Sequence, residues 1–277
     1  MGILFGLLAA LGWGGGDFAI SQVTRVIGVT QAMFYVQLFG IVAISAVLLV
    51  RHDLPPTDLS AWGLGIAANV VNVGGTLLLY RAFAIGTLSI VSPIVSSFAL
   101  ITALLALLTG ERPGLLALGG AALVIVGVVI AARSPGGVAG RPRGVIEAMG
   151  AAVCIGIYCW SISYITPTLG IAWPVLIGRL MAFLVAMALM ARSGSRPVRL
   201  GRAVWPFAVG AGVLDTAAFL CFSVGVSGAY VSVVTALASI FSVVTVLLAW
   251  VFLRERLSMS QWAGVAGLLV GVLLVSL

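Results

Sequence analysis

The chain contains no lysine, a single histidine and only seven acidic residues in 277 positions. Without lysine there is no nucleotide-binding loop of the Gly-x-x-x-x-Gly-Lys type, so nothing here points to an ATP-driven machine. Charged residues make up 8% of the chain, against about a quarter in soluble domains, which excludes an ordinary soluble fold. Cys154, Cys159 and Cys221 lie inside apolar segments without metal-ligand spacing and read as packing residues. No metal or other cofactor is expected. The +7 net charge suggests nucleic acid at first sight, but every cation is arginine and most sit in short turns. That placement fits loops held at an anionic membrane surface, and no nucleic-acid partner is expected.

What fills the sequence instead is hydrophobic residues, 62% of the total. Apolar windows between turn signals predict ten spans, over 2–22, 29–50, 60–83, 86–108, 114–132, 144–164, 170–191, 203–224, 228–252 and 258–277. Each approaches the roughly 20 helical residues that cross a bilayer core. The expected fold is an all-α membrane protein of ten transmembrane helices. Its longest polar stretch, 133–143, divides an N-terminal unit, 1–132, from a C-terminal one, 144–277.

The second half repeats the first. A displacement of 142 positions brings Gly2 onto Gly144, Gly14 onto Gly156, Gln37 onto Arg179 and Gly86 onto Gly228. Two further positions bring Glu111-Arg112 onto Glu255-Arg256, Gly120 onto Gly264 and Gly127 onto Gly271. Five spans per copy is an odd number, so the copies enter the membrane from opposite sides. Two inverted five-helix repeats are an architecture of secondary transporters, with a central site between the halves.

Arginine sets the orientation. Grouping the ends of alternate spans puts Arg25, Arg81, Arg133, Arg141, Arg143, Arg192, Arg196, Arg199, Arg202, Arg254 and Arg256 on one side, and only Arg51 and Arg112 on the other. The positive-inside rule makes the first side cytoplasmic and places both termini outside. No basic run precedes the first apolar segment, which is expected to remain as a helix in a bacterial-type inner membrane.

Ionisable side chains deep in a membrane are costly and normally face a polar interior and a partner. Asp17, Arg179 and Asp215 lie well inside spans. They either tie helices together as an ion pair or line a cavity that receives a zwitterion, Arg179 facing a carboxylate and an aspartate facing an ammonium. A guanidinium suits a carboxylate through two parallel hydrogen bonds. In the third span Asn69, Asn72, Thr76 and Tyr80 recur at three- and four-residue steps and share one face, which is expected to look inward. Ser89, Ser92 and Ser96 share a face of the fourth span, where hydroxyls also bond their own backbone. Trp13 stands four residues before Asp17, Phe219 four after Asp215, and Tyr158 at a related depth. Such rings suit amino-acid side chains or cations. Trp62 and Trp205 read as interfacial anchors, and Glu111-Arg112 and Glu255-Arg256 as pairs at the membrane surface.

An enzyme reading rests on short matches. Gly14-Gly15-Gly16-Asp17 fits the Gly-x-Gly-Asp of intramembrane aspartyl proteases, which need a second carboxylate such as Asp215. Gly225-Val226-Ser227-Gly228 fits the Gly-x-Ser-Gly of rhomboid proteases, whose serine needs a base, and His52 is the sole histidine. With 35 glycines such matches arise by chance, and no enzyme is expected.

The run Tyr80-Arg81-Ala82-Phe83 to Gly86, then Ser92-Pro93, Gly110-Glu111-Arg112, Gly120 and Gly127 resembles the drug/metabolite transporter superfamily, EamA-type. Arg254-Glu255-Arg256-Leu257 with Gln261-Trp262, Gly264 and Gly271 repeats its ending, and Trp13-Gly14 and Arg179-Leu180 resemble further family positions. Gln37 stands where the family often has arginine, and Thr235 faces Pro93 in the repeat. The resemblance implies export of amino acids, other metabolites or drugs, and within the family leans toward the aromatic amino-acid exporter group (YddG-like). It implies alternating access, with a small-molecule substrate and the lipid bilayer as partners. The alternative within transport is proton-coupled efflux of cationic drugs. The oligomeric state stays open, and a monomer is compatible with everything above.

Overall fold

A computed structural model describes residues 2–112, 114–131, 143–254 and 259–276. All of the 133–143 linker except Arg143 lies outside the described residues, as do Glu255 and Arg256. No strand occurs among the described residues, which form twelve helices. The first half comprises α1 (Gly2–Ile27), α2 (Val29–Arg51), α3 (Leu59–Ile85), α4 (Leu88–Ser96), α5 (Phe98–Leu108) and α6 (Leu115–Ala131). The second comprises α7 (Val145–Leu169), α8 (Trp173–Arg192), α9 (Trp205–Ser227), α10 (Val231–Ala238), α11 (Phe241–Leu253) and α12 (Met259–Ser276). Taking α4 with α5 and α10 with α11, eight spans are long and apolar enough to cross a membrane. The 17-residue α6 and 18-residue α12 complete ten.

The fourth and ninth spans are broken, where the sequence predicts continuous helices. Pro93 removes an amide donor in α4, and Ser97 then closes a tight turn, with Leu100 N donating to Ser97 O at 2.9 Å. The ninth span breaks at Ser239 and Ile240 without any proline. There the Ser239 hydroxyl donates to Ala236 O at 2.7 Å, and the Ser97 hydroxyl makes the matching bond to Ile94 O at 2.6 Å. Serine hydroxyls that bond the preceding turn loosen a helix. Ser97 and Ser239 are 142 positions apart, the displacement that also relates Gly28 (φ 81°) to Gly170 (φ 74°) at the turns after α1 and α7.

Contacts between the halves are reciprocal. Thr102 Oγ1 donates to Gly156 O at 2.9 Å, and Thr245 Oγ1 donates to Gly14 O at 3.2 Å. Exchange of partners between equivalent positions is the signature of a two-fold axis. Accordingly α1 packs on α9 as α3 packs on α7, while α2 meets α8 and α6 meets α12 across the axis. No hydrophobic driving force acts between helices in lipid, so close approach of small residues does the packing. At Gly14 a Cβ would fall 2.4 Å from Val244 Cβ, and at Gly267 it would lie 3.7 Å from Gly127 Cα.

The loops finish the helices. Asp58 caps α3, accepting from Ser60 N at 2.9 Å and Ser60 Oγ at 2.7 Å, and these bonds lower its carboxyl below the usual carboxylate range. Glu111 is not a surface pair. Its carboxylate accepts from Val231 N at 2.7 Å, Ser232 N at 3.2 Å and Ser232 Oγ at 2.6 Å, capping α10 of the other repeat. Trp62 donates to Pro56 O at 2.9 Å and packs against Trp173.

Candidate functional site

Three charged side chains meet in the middle of the bundle. Arg179 on α8 lies under Gly40 of α2, where a Cβ would come within 2.8 Å of Arg179 Cδ, so the missing side chain makes room for it. Arg179 Nη1 forms an ion pair with Asp215 Oδ2 on α9 at 2.7 Å and donates to Gln37 Oε1 on α2 at 3.0 Å. Arg179 Nη2 is buried and has no hydrogen-bond partner among the described residues. Gln37 and Arg179 are equivalent positions of the two repeats, so their contact lies on the pseudo-two-fold axis. The Arg179 guanidinium also sits over the Phe219 ring, 5.7 Å from its centroid.

Asp17 on α1 lines the same cavity as Asp215 and is only 5% exposed. It makes no hydrogen bond or ion pair among the described residues. With both carboxylates ionised, the centre carries two negative charges against one positive. An uncompensated charge in a low-dielectric interior is expensive, so this arrangement asks for a further positive group or a proton.

Above the charges the walls are aromatic. The Trp13 ring contacts Phe219 at 5.0 Å, Phe222 at 5.5 Å and Phe98 at 5.9 Å between centroids. Phe98 and Phe241 open α5 and α11, so each broken span delivers one ring to the cavity wall just past its break. The cavity between Trp13, Asp17, Asn72, Tyr80, Asp215 and Phe219 holds about 50 Å³. A second of about 20 Å³ lies between Gln37, Asn72, Tyr158 and Arg179. These volumes have room for a few water molecules.

Of the residues singled out from sequence, Trp13, Asp17, Asn72, Thr76, Tyr80, Tyr158, Arg179, Asp215 and Phe219 line these two cavities. Asn69 and Ser92 line neither. The Asn69 amide donates to Gly65 O at 2.9 Å and Pro174 O at 3.1 Å, tying α3 to α8. Ser92 is fully buried in α4, its hydroxyl with no hydrogen-bond partner among the described residues. The Asn72 Oδ1 and Tyr80 hydroxyl are likewise buried with no hydrogen-bond partner among the described residues.

A wider recess of about 700 Å³ lies beyond an apolar layer, where α2, α7 and α9 end and α8 begins. Ile44, Leu48, Ala172 and Val175 form that layer, with Phe219 and Leu220 packed against it. His52, Asp53, Thr166, Trp173 and Ser227 are among the lining of the recess.

The sequence matches the model of the EamA-like transporter family over residues 1–133 and again over 142–277. The chain belongs to the EamA-like transporter family. This EamA-like chain is therefore a multi-pass membrane transporter of the drug/metabolite transporter superfamily. A solved crystal structure at 19% identity superimposes with a TM-score of 0.77, over 99% of this chain and 95% of that one, and shares the fold. No curated protein matches the sequence.

In each of the two protease matches one of the side chains carries another contact in the EamA-like fold. Asp17 and Asp215 face one cavity, where Asp215 is paired with Arg179. Ser227 and His52 share the outer recess, yet the Ser227 hydroxyl donates to Val224 O at 2.8 Å. Sequence reasoning missed Gln37 as a partner of Arg179 and Phe98 and Phe241 as walls. The displacement that pairs Gln37 with Arg179 held the first signal, because equivalent residues near a two-fold axis meet each other. The two phenylalanines gave none, being ordinary members of apolar runs.

Proposed function

We propose that this transporter exports small zwitterionic metabolites, amino acids foremost and aromatic ones included, out of the cytoplasm by alternating access. The observation that carries the reading is a guanidinium with a free nitrogen, an unpaired carboxylate and an aromatic wall around one central cavity. An α-amino acid brings the complement of each. Its carboxylate goes to Arg179, its ammonium to Asp17, and its side chain lies against Trp13, Phe98, Phe219 and Phe241. Asn72, Tyr80 and Tyr158 supply the remaining polar contacts. The two small cavities must merge and widen to admit it, which supports a mechanism in which the halves move against each other.

The 1–132 and 144–277 units are the moving repeats, joined by the 133–143 linker on the cytoplasmic side. Both termini lie outside a bacterial-type inner membrane, as the arginine count directs. The recess beyond Ile44 and Val175 is then the exit side, closed off by the apolar layer beneath it. Asp17 also favours a second reading, efflux of cations in exchange for a proton at that carboxylate.

Counterflow in proteoliposomes decides between them. Vesicles loaded with unlabelled substrate are offered labelled amino acids and quaternary ammonium cations in turn. Exchange of amino acids supports the proposal. Exchange of cations alone, driven by a pH gradient, overturns it in favour of the second reading.

A further inference from the structure

We infer that Asp215 is a built-in stand-in for the substrate carboxylate, displaced from Arg179 when substrate binds and then turned to the substrate ammonium. The inference rests on the zwitterion reading and gives that site its selectivity rule. The pair between Arg179 and Asp215 uses one nitrogen and one oxygen, Nη1 and Oδ2 at 2.7 Å, leaving Nη2 buried and unpaired. A guanidinium that holds a carboxylate through one nitrogen gains by trading that contact for the two parallel bonds a carboxylate can make. Gln37 Oε1, 3.0 Å from the same Nη1, keeps hold of the guanidinium through the exchange. Because Gln37 and Arg179 meet on the axis between the repeats, the charge stays central as the halves rock.

The charge count makes the exchange selective. Empty, the site holds Asp215 against Arg179 and leaves Asp17 unpaired. Loaded with an amino acid, Arg179 faces the substrate carboxylate, and Asp17 and Asp215 flank the ammonium. The total charge is unchanged and no buried group loses a partner. Asp215 can make this turn because its side chain is 16% exposed and faces the cavity it shares with Asp17. A carboxylic acid lacking the ammonium would free Asp215 with nothing to receive it, leaving two uncompensated carboxylates. A simple amine would leave the Arg179–Asp215 pair closed. Only a molecule bearing both charges close together completes the exchange.

The test is competition for a labelled amino acid bound to purified protein, with the same amino acid, its deaminated acid and its decarboxylated amine as competitors. In the wild type the acid and the amine should each compete at least about tenfold more weakly, the cost of one charge-assisted contact. Asp215→Asn removes the stand-in without removing Arg179, so the acid should compete better than in wild type while the amino acid competes worse. Asp17→Asn keeps the Arg179–Asp215 pair and should weaken the amino acid and the amine with no gain for the acid. If Asp215→Asn weakens acid and amino acid equally, or the acid gains equally in both variants, Asp215 is a fixed structural partner and the inference fails. If Asp215→Asn does not fold, the Asp17→Asn arm and the wild-type ranking still decide, since a wild type that takes acid and amino acid alike contradicts the exchange. If wild type binds no amino acid at all, it is the zwitterion reading that fails.

Discussion

Replacing Arg179 with lysine separates a structural cation from a carboxylate receptor. Arg179 has two tasks: in the empty site its Nη1 holds Asp215 and Gln37, and with substrate bound its Nη2, unpaired until then, adds the second parallel bond to the carboxylate. A lysine ammonium can keep the pair with Asp215, because that pair is a single contact. It cannot also present a second, parallel donor to a carboxylate. Loss of one hydrogen bond to a charged group costs about 1.5–3 kcal/mol, roughly a ten- to hundredfold fall in transport efficiency. Thermal stability in detergent should move little, since no buried charge is orphaned. Arg179→Leu makes the contrast, because it leaves Asp17 and Asp215 together with no cation, and breaking a buried pair costs about 3–5 kcal/mol. The assay is initial-rate counterflow of an amino acid beside a melting curve for each variant. Full transport in Arg179→Lys would refute the carboxylate role. A melting temperature that falls as far in Arg179→Lys as in Arg179→Leu would refute the division of tasks.

Other predictions follow from individual contacts. Gly40→Ala places a Cβ 2.8 Å from Arg179 Cδ and 3.0 Å from Thr216 Oγ1, so transport should fall severalfold while the protein still inserts in the membrane; unchanged initial rates would show that Arg179 tolerates displacement. Glu111→Ala removes three hydrogen bonds from the start of α10 and should cost about 1–2 kcal/mol, read as a lower melting temperature, with an unshifted curve as the contrary result. On a cysteine-free background, a cysteine at Pro56 should label from outside intact cells and one at Ser195 should not; the opposite pattern would invert the topology. Asn69→Leu breaks the tie to Pro174 O and should lower stability, whereas Asn72→Leu should lower transport with less effect on the melting curve, and equal behaviour of the two would contradict their different placements.

The spans and the repeat were legible because bilayer crossing writes long apolar runs and glycine punctuation into the sequence. The breaks at Ser97 and Ser239 were not, because hydropathy alone reads through them: in the ninth span the cause is a hydroxyl bonding the preceding turn, and in the fourth Pro93 adds a missing amide donor. Asp17, Arg179 and Asp215 stood out because a charge in a membrane helix needs a reason. Which aspartate pairs with Arg179 depends on where α1 and α9 lie relative to α8, and periodicity carries no such information. The stripe on α3 is one face but two environments, a distinction periodicity does not carry: Asn69 and Asn72 share it, yet one ties helices and the other lines both cavities. Glu111 looked like a surface charge because its partners lie in the other repeat.

The most direct test of the central claim is a structure with a transported amino acid bound. The account predicts its carboxylate within hydrogen-bond distance of Arg179 Nη2, its ammonium at Asp17, and its side chain against Trp13 and Phe219. A substrate seated elsewhere, with the Arg179–Asp215 pair intact and no group near Asp17, would contradict it.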